Sequence, residues 1–142
     1  MKRSLAILIA GTAGAIAGAA WLINFTAENP PSYEILLNGD AAMRQFLVEY
    51  GCEPNEEPPA QHEITLPASG DSTVFSAYCR LQEQQRLPLE EHFGQEAVKW
   101  TYSLDSSSGA RAELICTPEG ILLGAMRYDC RRFDLMYPVI CE

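Results

Sequence analysis

The strongest constraint on this chain is an uncharged apolar stretch over residues 4–27, preceded by Lys2 and Arg3. About 20 helical residues cross a hydrocarbon core of about 30 Å, so 24 are enough. Basic residues on one flank hold that end in the cytoplasm. The segment therefore predicts a single-pass membrane anchor with residues 1–3 inside and everything after it exported. Trp21 and Phe25 fall near the outer end, where amphipathic rings suit the headgroup level, and Glu28, Asn29, Pro30 and Pro31 stop the helix. A cleaved signal peptide is the competing expectation, because Ala13-Gly14-Ala15, Ala15-Ile16-Ala17 and Ala17-Gly18-Ala19 present small residues at cleavage spacing. The product would then be a secreted protein with a structural role. Gly14 and Gly18 form a Gly-x-x-x-Gly pair that would let two such helices approach as a homodimer.

Beyond Lys2 and Arg3, eight basic residues face 19 acidic ones. A domain so acidic is repelled by phosphate backbones, which argues against nucleic acid as a partner. Scattered carboxylates ordinarily mean only a solvated surface; divalent cations or basic partners are the sharper alternative. At 142 residues the chain holds one ordinary domain plus an appendage. The layout expected is a stub over residues 1–3, the anchor over 4–27, a juxtamembrane linker over 28–39 and an extracytoplasmic domain over 40–142.

Within that domain, Met43, Phe46, Leu47 and Tyr50 recur at helical spacing after Asp40, an expected N-cap, and Gly51 closes the pattern. Just before it, Ile35, Leu36 and Leu37 form an apolar patch expected on the domain or at the membrane surface. The Glu- and Pro-rich segment 52–60 reads as a solvated loop, and His62 to Leu66 as a short strand ended by Pro67. A second helix is expected from Ser72 to Gln85, capped by Asp71 or Ser72, with Val74, Ala77, Tyr78 and Leu81 on its buried stripe and Pro88 beyond its end. Val98, Trp100, Tyr102 and Leu104 then alternate with polar residues, as do Ala112, Leu114 and Cys116, before a Pro118-Glu119-Gly120 turn into Ile121 to Tyr128. This predicts a three-stranded meander. The last strand is apolar on both faces and so expected away from an edge, while residues 129–142 read ambiguously. The class expected is α+β, two helices on a mostly antiparallel sheet of about four strands.

Several blocks resemble an uncharacterised bacterial envelope family catalogued as domain of unknown function 4830. They are Arg44-Gln45-Phe46-Leu47 leading to Tyr50-Gly51, Ile64-Thr65-Leu66-Pro67, Tyr78 with Leu81-Gln82, Phe93-Gly94, Trp100-Thr101-Tyr102, and Gly120 to Gly124. The resemblance covers most of residues 40–128 and implies a shared fold in a membrane-proximal setting, typically in Gram-positive bacteria, without a reaction. The chain departs from that pattern at Cys52, where similar proteins tend to carry tryptophan, and in its cysteine-bearing tail.

Five cysteines in an exported domain invite disulfides. A Cys116–Cys130 bridge is unfavourable. If residue 116 faces about residue 123, Cys130 lies opposite about residue 109, over about 20 Å away at about 3.3 Å per residue. Cys130 with Cys141 would close a short loop and is the expected bridge; free thiols are the alternative, Cys79 and Cys116 then acting as small buried hydrophobes. Neither the cysteines nor His62 and His92 show metal-ligand spacing, and no cofactor motif is present. Glu90 and Glu91 beside His92, and Glu56 with Glu57, read as solvated surface rather than acid and base pairs, which work across a cleft. Trp100 and Tyr102 could line a ligand groove or lie in the core under a helix. No catalytic residue is assigned. The expected function is a non-enzymatic binding or regulatory module of the envelope, with a partner protein there. The alternative is an envelope hydrolase using His62 or His92 with a cysteine or carboxylate.

Overall fold

The computed structural model describes residues 34–105, 109–130 and 135–141. The expected anchor, with Lys2, Arg3, Gly14, Gly18, Trp21 and Phe25, lies outside the described residues, among which no helix is long and apolar enough to cross a membrane. In chain order the elements are α1 (Gly39–Glu49), β1 (Ala60–Thr65), α2 (Thr73–Gln84), a short 3-10 turn (Leu89–His92), β2 (Glu96–Ser103), β3 (Ala110–Cys116), β4 (Leu122–Asp129) and β5 (Met136–Tyr137). The strands form one antiparallel sheet in the order β1-β2-β3-β4-β5. The α+β class and the meander are as expected. The fifth strand comes from the tail, whose two paired residues are too few to carry an alternation signal.

The middle strands β2, β3 and β4 are covered on both faces because each alternates two apolar sets. Tyr102, Leu114, Cys116, Leu122 and Ala125 pack with Met43, Phe46 and Leu47 of α1. The intervening Ala97, Ile115 and Leu123 pack with Tyr78 and Cys79 of α2 and with Leu66 and Leu89. A bulge reconciles the two sets. Cys116 lies opposite Leu122 but Ile115 opposite Gly124, so Leu123 is an extra residue and joins the α2 side.

Several local expectations need adjustment. Asp40 does not cap α1; Asn38 occupies the cap position without a side-chain bond. Asp40 instead sits in the first turn, where its carboxylate accepts from Arg44 Nε at 2.9 Å and from Tyr102 Oη at 2.9 Å. Arg44 also donates to the carbonyls of Asn55 and Glu57 at 2.6 and 2.7 Å, tying the Glu- and Pro-rich loop to α1. The linker's last residues belong to the fold, since Leu37 is buried and Leu36 bridges Ile121. The Leu37 N–H donates to the Gly120 carbonyl at 2.8 Å. Gly120 has φ +99°, and a Cβ there would stand 2.8 Å from the Leu37 carbonyl oxygen, so this turn needs glycine.

Ser72 caps α2 as expected, its Oγ accepting from the Phe75 N–H at 3.2 Å. Val74, however, is 80% exposed. The stripe is rotated toward Gln82 and Gln85, which are 1% and 2% exposed. Gln82 Oε1 accepts from the Ala125 N–H and Gln85 Nε2 donates to the Ala125 carbonyl, each at 2.8 Å. Gln85 Oε1 accepts from the N–H groups of Val139 and Ile140 at 2.8 and 2.9 Å. Two side-chain amides thus continue the ladder between β4 and the tail where β5 pairing, confined to Arg127 and Tyr128, gives out.

Candidate binding groove

β1 is an edge strand: it pairs with β2 on one side, and among the described residues no strand pairs with the other. The register places Gln61, Glu63 and Thr65 opposite Trp100, Val98 and Glu96, on the sheet face that carries α1. The helix covers β2 only as far as Tyr102, which is 1% exposed. Val98 and Trp100 are left half-buried, and Gln61, Glu63 and Thr65 are exposed. The result is a shelf with an apolar floor one strand in from an open edge.

Two adjoining hollows mark this shelf. One, of about 130 Å³, runs between Trp100, Gln61, the start of α1 at Asn38 and Gly39, and the Pro118-Glu119 turn. The other, of about 380 Å³, lies against Glu63, Thr65 and Glu96 and shares Val98 and Pro118 with the first. The shape follows from the sequence. Pro58 and Pro59 precede β1 and Pro67 follows it, bounding the edge to six residues, while the Gly120 turn holds Pro118 and Glu119 as a wall.

The groove is negative. Glu63, Glu96 and Glu119 border it, and Lys99, the one basic residue of β1 and β2, points to the other face, because it lies opposite Ile115 of the α2-facing set. There Lys99 Nζ lies 3.9 Å from Glu113 Oε2. Burial pushes the Glu113 carboxyl above its usual range, with Lys99 pulling it back. The same burial, with the Glu113 charge nearby, raises the Tyr78 hydroxyl, which has no hydrogen-bond partner among the described residues.

The residues singled out for chemistry are dispersed. His62 stands exposed on β1, whereas His92, in the 3-10 turn, has Nδ1 3.0 Å from Gln95 Oε1. All five cysteines are free thiols: Cys52, Cys79 and Cys116 buried, Cys130 half-buried, Cys141 exposed. Burial raises Cys116 to about 12. It also raises Cys52 against an opposing pull from Arg127, and raises Cys79 with help from Glu90 and Glu83. A nucleophile needs the thiolate, so these shifts run against one. Cys130 reaches the Gly109 carbonyl through its N–H at 3.5 Å, the position expected from the meander. From the Arg127–Tyr137 pair, Cys130 lies three residues one way along β4 and Cys141 four residues the other way along the tail, so the register does not bring them together. Glu56, Glu57, Glu90 and Glu91 are exposed, and a hydrogen bond that the protonated Glu83 donates to Glu90 is the main cause of a raised Glu83 carboxyl. Among the described residues no group of three His, Cys, Asp or Glu side chains is placed to hold a metal ion.

Of the two aromatic residues weighed for a groove, Tyr102 is core and Trp100 lines the hollow. The rest of the groove left no mark in the sequence, because β1 reads as any half-buried strand until its partner order is known. No family model, curated protein or solved structure matches the chain.

Proposed function

We propose that the chain is a membrane-anchored, extracytoplasmic binding module of the cell envelope, acting by recognition rather than catalysis, and that it meets its partner along β1. The uncovered shelf beside an open strand edge carries this reading: an apolar floor of Val98 and Trp100 with polar groups around it is the form of a recognition site. The anchor rests on the uncharged stretch 4–27 behind Lys2 and Arg3. Kinship with the uncharacterised envelope family is part of the same proposal and rests on the short blocks quoted above.

Crosslinking of intact cells tests it. The expected result is a membrane-fraction adduct larger than the chain, lost in Glu63→Lys while the protein itself stays in the membrane fraction. Monomer alone in every sample would overturn the binding role, and recovery of a shortened chain from the medium would overturn the anchor.

A further inference from the structure

We propose that the occupant of the β1 groove is an extended polypeptide segment with lysine or arginine at alternate positions and apolar residues between them, added to β1 as a sixth strand. This rests on the binding-module reading and names the partner's chemistry. An edge strand presents the backbone N–H and C=O groups of alternate residues outward, ready for another strand. The added strand's side chains alternate between the faces. Those falling on the α1 side meet Glu63, with Glu96 and Glu119 bordering the same hollows and the half-buried Trp100 ring as a second attraction for a cation. Those falling on the α2 side meet Ile64, half-buried and packed on that face's core, which suits an apolar residue.

The charge pattern selects among occupants. A second copy of the chain would bring a net charge of −9 and another acidic shelf against this one. The chain's own segment 28–33 holds Glu28, Pro30 and Pro31 and no basic residue, so it supplies neither the charge nor a regular run of N–H donors. A basic, proline-free strand from another protein satisfies both.

The test uses the full chain in nonionic detergent, with Trp21→Phe so that fluorescence reports Trp100, and an end-blocked octapeptide alternating Lys and Val. The expected result is saturable binding that shifts Trp100 emission and slows hydrogen exchange across residues 60–65. Glu63→Lys should weaken it by about 10-fold, a charge pair turned into a repulsion. A Glu-Val peptide, and a Lys-Val peptide N-methylated at every residue, which has no backbone N–H left on either edge, should not bind. Absence of binding, equal binding of the N-methylated peptide, or an unchanged affinity in Glu63→Lys would each overturn the proposal. If the peptide fails while the intact-cell adduct persists, the basic strand is discarded and the module stands; if both fail, the module falls as well.

Discussion

Gln85 shows how much of this fold rests on single polar side chains. Its amide serves the Ala125 carbonyl on one side and the Val139 and Ile140 N–H groups on the other, at 2% exposure. Gln85→Leu leaves these backbone groups without partners and should cost about 3 kcal/mol or more in urea unfolding, whereas Gln84→Ala, on the exposed side of α2, should stay within about 0.5 kcal/mol. A loss below about 1 kcal/mol for Gln85→Leu would contradict the role given to it. Tyr78 makes the opposite case. Its hydroxyl is buried without a partner among the described residues and lies 2.5 Å from where a Cβ on Gly124 would stand. Tyr78→Phe should therefore be neutral or stabilising, Gly124→Ala destabilising, and the double variant better than Gly124→Ala alone; additive effects in that cycle would refute the contact. Neither feature was legible in the sequence. Helical periodicity counts glutamine as surface, so it places Val74 on the buried stripe that Gln82 and Gln85 occupy, and nothing local marks which tyrosine crosses a glycine.

At the scale of elements, strands with strict alternation were readable and the edges of things were not. The period-two pattern of β2 and β3 and the Pro118 turn led directly to the meander, because each strand carries one uniform apolar face toward α1. The bulge at Leu123 and the two-residue β5 depend on tertiary pairing and left no periodic trace. The exposed side of β1 was invisible for the same reason. Between β2 and β3, Glu113 offers a pH test of how far the α2 face is buried. Its folded carboxyl titrates above the ordinary value of 4.5, so the folded state holds this proton more tightly than the unfolded chain. Its favourable contribution is complete below 4.5 and is lost as pH rises through the raised value. Glu113→Gln removes that loss. The stability of the variant relative to the parent should therefore grow as pH rises above 4.5 and level off once the folded carboxyl is ionised, with Lys99 limiting the size. A difference that does not change with pH would show Glu113 to be solvated.

For the whole molecule, an acidic domain with one sheet edge left unpaired among the described residues is joined to a segment long enough to span a bilayer, and the thiols report on both burial and export. A membrane-impermeant maleimide applied to intact cells should label the exposed Cys141 first and the half-buried Cys130 more slowly. Cys52, Cys79 and Cys116 should react only after denaturation, their burial and raised thiols both opposing attack. Labelling only after cell lysis would contradict export. Whether β1 is where this molecule meets its partner is decided by placing a photo-reactive residue in turn at positions 61 and 65, on the shelf with Glu63 kept, and at 74 and 137, exposed elsewhere, in the full-length protein in living cells. Adducts of one size from 61 and 65 and none from 74 and 137 are expected. Equal adducts from all four positions, or none from 61 and 65, would show that the partner is met elsewhere.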